Sequence, residues 1–199
     1  MIISIEGLPG CRKREIYSRI EHELQVRVIR MSEQDREFHK RFLENPSKLG
    51  LVYEINRLLG ICEQLDIAED QLVIVDSIFS LRNVYIYYLR DHGWLTDEEV
   101  ATFERLYHRI MHIPKVMIYL FGSFEKSFER MRSEVKLEQD EQYEYDEEEF
   151  KKLHYQFEWV FDTNNCEIPI YKVSVEDDID SIIRNFREIF DKISLIFTD

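Results

Sequence analysis

Apolar residues follow two rhythms along this chain of 199 residues. Five short runs, at 2–6, 26–30, 72–76, 116–121 and 168–173, are rich in Ile and Val and have the length of buried strands. Several segments between them carry the period of helices. Thr96 and Glu99 stand at capping-box spacing, and Val100, Phe103, Leu106, Tyr107, Ile110 and Met111 then recur on one helical face. Asp177 and Asp178 mark the start of a last helix, whose apolar stripe is Ile182, Ile183, Phe186, Ile189, Phe190 and Ile193. Strands and helices alternating in this order predict an α/β fold, a mostly parallel sheet with helices on both faces. The length suits one domain over 1–199, and no internal repeat or Gly-, Pro- or Ser-rich linker divides it.

Composition then removes several function classes. Hydrophobic residues at 44% and aromatics at 13% describe a chain that folds. The balance of 26 Lys+Arg against 40 Asp+Glu gives −14, which argues against nucleic acid or an anionic membrane as partner. No apolar run reaches the roughly 20 residues of a membrane span. Residues 1–6 carry no basic region and run into a glycine turn, so they do not read as a secretory leader, and a cytoplasmic location is expected. Cys11, Cys62 and Cys166 are odd in number and widely spaced, which suits a reducing compartment and fits no zinc pattern. Nine acids and one base over 134–149 supply −8 of the total charge. A run of that density reads as a solvated, mobile segment.

Candidate chemistry begins after the first strand, at Gly7-Leu8-Pro9-Gly10-Cys11-Arg12-Lys13-Arg14. A phosphate loop needs strand, glycine turn and helix, with G-x-x-x-x-G-K-[ST] across the turn. Gly7 and Lys13 fall in place, whereas Arg12 replaces the second glycine and Arg14 the hydroxyl residue. A Cβ at position 12 restricts the backbone. Arg14 has no acceptor for a metal ion, but brings a fixed positive charge. Gly7, Gly10, Arg12, Lys13 and Arg14 are the candidate phosphate-binding residues. From the loop alone, an altered nucleotide site and a ligand-free relic are equal readings.

Further segments widen the picture: Ile3-Ser4-Ile5-Glu6-Gly7; Leu43-Glu44-Asn45-Pro46-Ser47-Lys48-Leu49; Ser77-Ile78-Phe79-Ser80-Leu81-Arg82-Asn83-Val84-Tyr85; and Leu153-His154-Tyr155-Gln156-Phe157-Glu158-Trp159. In this order and spacing the chain, over about 1–175, resembles the deoxynucleoside kinases. The resemblance implies a P-loop kinase-like sheet of five parallel strands in the order 2-3-1-4-5, and often a dimer made by helices.

The departures from that family bear on activity. The family's general base is matched by Met31, with Glu33 the nearby substitute. Its Glu-Arg-Ser after the third strand is matched by Val75-Asp76-Ser77. Its base-reading glutamine is matched by Glu54, its sugar-contacting tyrosine by Leu43, its base-binding aspartate by Leu81 and its stacking phenylalanine by Tyr85. Three lid arginines fall on Arg130, Glu134 and Lys136: one kept, one reversed in charge, one softened. Candidate catalytic residues are therefore Glu33 and Asp76, lid residues Arg130 and Lys136, and substrate-pocket residues Glu54, Ser77, Arg82 and Tyr85. Losing a placed base or cation commonly costs orders of magnitude in rate. Arg130 also reads simply as a helix charge beside Glu129. His154, Tyr155 and Trp159 fit core packing better than chemistry. His108 and His112 lack a third ligand, so no metal site is expected. Cys11 reads as an inert small residue.

These features favour a deoxynucleoside kinase-like protein with an eroded active site, inactive or very weak as an enzyme, retained as a binding or structural subunit. Two rivals stay open. One is a working kinase using ATP and magnesium, with Lys13, Arg14, Asp76 and Glu33 in relocated roles. The other is a nucleotide sensor without turnover. Partners would be a second copy of the chain, or proteins meeting helical faces or the acidic segment 134–149.

Overall fold

The computed structural model describes residues 1–30, 33–68, 72–111, 113–138, 146–163 and 168–196, with backbone alone at 33–36, 134–138 and 196. β1 is Ile2–Gly7, followed by α1, Lys13–Arg19, which widens into a π-type segment, Ile20–Leu24. β2 is Arg27–Ile29, α2 is Glu33–Glu44, and α3 is Pro46–Ile67 with proline in its first turn. β3, Val73–Asp76, leads into α4, Ile78–Ser80, a second π-type segment, Leu81–Tyr85, and α5, Ile86–Asp91. α6 is Asp97–Ile110, β4 is Val116–Phe121, and α7 is Phe124–Glu138. α8 is Glu147–Asp162, β5 is Ile170–Ser174, and α9 is Ile179–Ile196.

The five strands form one parallel sheet in the order β2-β3-β1-β4-β5, as the resemblance implied. Helices cover both faces, so β1 and β4 are buried along almost their whole length. The capping box at Thr96 and Glu99 is formed, and Val100, Phe103 and Tyr107 are buried below it. The stripe of α9 from Ile182 to Ile193 is buried as its period requires. Asp178 accepts from the Ser181 N–H at 2.9 Å and caps that helix.

Helix α8 shows a different face from the one expected. Phe150, Leu153, His154, Phe157 and Phe161 are buried, at i, i+3, i+4, i+7 and i+11. Tyr155 and Trp159 lie on the opposite side and are 65% and 66% exposed, so they are not core residues. Phe161 stacks on Tyr119 of β4 with ring centroids 4.4 Å apart. The acid-rich run is partly helical, since its two ends belong to α7 and α8, while 139–145 lie outside the described residues. Asp146 caps α8, accepting from the Glu149 N–H at 2.7 Å. Glu147, Glu148 and Glu149 fill the first turn, where the helix dipole favours negative charge.

Phe161 fixes α8 to the sheet, so Phe161→Ala should lower stability by about 3–5 kcal/mol in urea unfolding.

Candidate active site

The loop after β1 keeps its bend through two left-handed residues. Gly10 has φ 78°, and a Cβ there would stand 2.0 Å from the Ser127 carbonyl oxygen of α7. Arg12, before the first turn of α1, has φ 56°. That conformation costs a residue with a Cβ about 1–2 kcal/mol. The surrounding fold thus imposes at Arg12 the bend that glycine adopts freely. The Arg12 side chain turns away from the loop interior: Nε donates to Glu15 at 2.9 Å and Nη1 to the Asp177 carbonyl at 2.9 Å. Arg14 is exposed. Of the three consecutive cations, Lys13 alone turns inward, with Nζ 3.1 Å from Asp76 Oδ1 and 3.3 Å from Ser77 Oγ.

Asp76 Oδ1 also accepts from Tyr17 and Ser77, each at 2.8 Å. Burial pushes this carboxyl up, but the Lys13 charge and these hydrogen bonds outweigh it and hold it below its ordinary value. Asp76 is therefore a weak base. Val75, at the family's glutamate position, is fully buried, because a step of one residue along a strand reverses the face. Beneath the loop, the buried Glu6 carboxylate accepts from the N–H groups of Phe79 and Ser80 at 2.8 and 2.9 Å, and from the hydroxyls of Ser80 and Ser4. Burial raises its pKa against those hydrogen bonds.

Two cavities adjoin this centre. The smaller, about 110 Å³, is lined by Lys13, Arg30, Arg57, Gln64, Asp76, Ser77 and Tyr85 among others. The larger, about 250 Å³, is walled by Phe42, Tyr53, Tyr85 and Trp94, with Leu43, His39 and Glu54. Arg57 and Tyr85 line both. Glu54 is 2% exposed and accepts from Arg57 Nη1 at 3.2 Å. Burial pushes the Glu54 carboxyl up, partly offset by Arg57. The Arg57 guanidinium lies 5.6 Å from the Tyr53 ring centroid and 5.7 Å from that of Tyr85. Burial and the Arg57 charge lower the His39 pKa to about 4.

Lys13, Asp76, Ser77, Glu54 and Tyr85 thus gather around the two cavities, while Gly7 and Gly10 shape the loop beside them. Arg82 does not join them. It lines a separate open groove of about 700 Å³, with its guanidinium 5.6 Å from the Tyr107 ring, because the wide turn over Leu81–Tyr85 sets it apart from Tyr85. Arg130 lies behind the loop, where its charge acts on the Cys11 thiol. Its buried Nη1 has no hydrogen-bond partner among the described residues. Cys11 is buried, and burial raises its pKa, as an inert thiol requires. Met31 and His112 lie outside the described residues, as do the side chains of Glu33, Glu134 and Lys136. The hydroxyl that would ligate magnesium is replaced by the exposed Arg14, so the loop does not fit that ion in the usual way. Arg30, Arg57 and Tyr17 were not foreseen. The Glu54–Arg57 spacing of i, i+3 was the available signal for the second of these.

Comparison with known proteins follows this geometry. The family model for deoxynucleoside kinase matches residues 3–198. No curated protein matches the sequence significantly. A solved deoxyadenosine kinase from M. mycoides, with dCMP and a flexible dCDP bound, superposes with a TM-score of 0.80 at 18% identity, covering 96% of this chain and 100% of that one. The same enzyme with dATP bound gives 0.79 at 18% identity with the same coverage, and with dCTP 0.75 at 16%. At these identities the likeness shows the fold.

Two outcomes test the site's physics. Arg12→Gly should leave stability unchanged or raise it by about 1 kcal/mol in thermal unfolding, whereas Arg14→Gly inside α1 should cost about 1 kcal/mol. His39 has its folded pKa near 4 against an ordinary 6.5. Its stabilising contribution is therefore complete above pH 6.5 and is lost as pH falls towards 4. A stability–pH curve for His39→Asn should be shallower than wild type in that window.

Proposed function

The chain belongs to the deoxynucleoside kinase family, and we propose that it binds nucleotide phosphates at Lys13 while transferring phosphoryl groups very weakly or not at all, serving as a binding subunit. The observation that carries this is the loop itself. Its left-handed bend is kept at Arg12 and its lysine points inward onto Asp76. Backbone N–H groups at such a bend favour an anion, and the Arg130 charge, which acts on the Cys11 thiol of the same loop, adds to the positive field. Weak turnover is argued from the lost parts. Asp76 is a poor base, Met31 stands where a base is expected, and Arg14 offers a metal nothing.

A working kinase is the second reading, favoured by Arg30 and Arg57, which bring to the cavity cations that the motif positions lack. In the subunit role, the outward face of α8 with Tyr155 and Trp159 is the surface offered to a second copy or another protein.

Thermal unfolding of wild type and Lys13→Ala with ATP, dATP, dGTP, dTTP and deoxynucleosides, with and without magnesium, tests the proposal. Ligand at a hundred times its Kd should stabilise wild type by about 2.7 kcal/mol, a rise of roughly 5–10 °C. Loss of that shift in Lys13→Ala supports the phosphate site, and product formation would then favour the kinase. No shift at millimolar nucleotide overturns both readings.

A further inference from the structure

We infer that Asp76 is the counter-ion that controls admission to the loop: its carboxylate holds the Lys13 ammonium in the place a phosphate would take, and Tyr17 is the positioning residue that keeps it there. This rests on the reading that the loop binds nucleotide phosphates at Lys13, and it makes the strength of that binding depend on one internal contact.

Lys13 and Tyr17 stand one turn apart on α1 and converge on a single atom at the end of β3. Lys13 Nζ donates to Asp76 Oδ1 at 3.1 Å, and the Tyr17 hydroxyl donates to it at 2.8 Å. Ser77 closes the ring, accepting from Lys13 at 3.3 Å and donating to Oδ1 at 2.8 Å. All three donors meet Oδ1, and among the described residues none meets Oδ2, so the carboxylate is held with one oxygen towards the lysine. Tyr17 is 2% exposed, and a buried hydroxyl requires a partner. Asp76 is its acceptor, and the Arg30 guanidinium, 5.8 Å from the ring centroid, packs over the ring. The tyrosine thus gives the carboxylate a fixed place that a solvated aspartate lacks.

The contact competes with a ligand for the same charge. An ammonium has three N–H donors, and two of those on Lys13 are committed. A phosphate arriving at Nζ must push the carboxylate aside or lie against it. Either way two anions share one cation, where the Lys13 and Asp76 side chains are only 20% and 25% exposed and like charges repel more than at an open surface. The neighbouring cations do not relieve this, since Arg30 is paired with Glu21 and Arg57 with Glu54. Proton uptake near neutrality does not relieve it either. Burial pushes the Asp76 carboxyl up, but the Lys13 charge and the hydrogen bonds from Tyr17 and Ser77 hold it below its ordinary value, so it stays ionised. Removing that one charge frees the ammonium for a ligand and alters no residue of the loop.

Calorimetric titration of the full chain with ATP, inorganic tripolyphosphate and adenosine tests the inference. Asp76→Asn should bind ATP and tripolyphosphate roughly tenfold or more tightly than wild type. Tyr17→Phe keeps the buried ring and drops the donor, and should bind both about threefold more tightly. Adenosine, which brings no phosphate, should gain nothing in either variant. The gain should vanish when Lys13→Ala is combined with Asp76→Asn, because the carboxylate acts through that ammonium. A residue that merely supports the fold loses affinity when altered, whereas these two should gain it. Should Asp76→Asn fail to fold, Tyr17→Phe decides by the same sign. Phosphate binding unchanged or weakened in Asp76→Asn, or in Tyr17→Phe where that variant decides, overturns the inference. So does an equal gain for adenosine, or a gain that survives the loss of Lys13. A gain in Asp76→Asn without one in Tyr17→Phe overturns the positioning role of the tyrosine. In each of these cases ATP binding by wild type leaves the reading beneath standing. No binding of ATP or tripolyphosphate to wild type or either single variant overturns both.

Discussion

A carboxylate without water organises the centre of this protein. Glu6 sits at 0% exposure near the end of β1 and is satisfied by two backbone N–H groups and two hydroxyls. An ion in that position is tolerable only when its lone pairs are filled. Three of the four donors, from Phe79 and Ser80, come from the first turn after β3, so the carboxyl group fixes where that turn begins relative to β1. Everything that follows inherits the register: Ser77 in its left-handed bend, Asp76 beside Lys13, and the wide helical turn that brings Tyr85 to the cavities. The same strand then runs through Gly7 into the loop, so one buried carboxyl group positions both the loop and the floor opposite it.

The charge arrangement around this floor differs from a simple loss of function groups. Cations named by the motif turn outward at Arg12 and Arg14, while others enter from β2 and α3. The site is therefore positively lined despite a chain of −14. Much of the acid lies elsewhere, in the run ending at the start of α8, where it serves a helix terminus. Local field, not net charge, decides what such a cavity admits.

The sheet was legible in the sequence because parallel strands buried on both faces leave continuous Ile and Val runs. Helices α6 and α9 were legible from their stripes, and α9 from its aspartate cap. Asp76 was legible as the last residue of an apolar strand, and Lys13 as the residue that opens the helix after a glycine turn. Other residues were not. Arg30 and Arg57 look like ordinary surface charges until the tertiary fold closes a cavity over them. Arg82 was misplaced because a π-type turn changes the angular spacing of residues, and nothing in Leu81–Tyr85 announces it. Tyr155 and Trp159 have the composition of a core, yet the period that matters is set by Phe150, Leu153, Phe157 and Phe161.

The contact between Gly10 and the Ser127 carbonyl has a mechanical meaning. Side-chain atoms usually act as a compliant layer between neighbouring elements, but here backbone rests almost directly on backbone. Loop and α7 are consequently geared together with little slack. A tilt of α7 of the order of an ångström would reach the loop peptides without being absorbed on the way. The acid-rich segment continues from the far end of that helix. Whatever pulls on that segment would act through a lever whose short arm bears on the loop around Lys13.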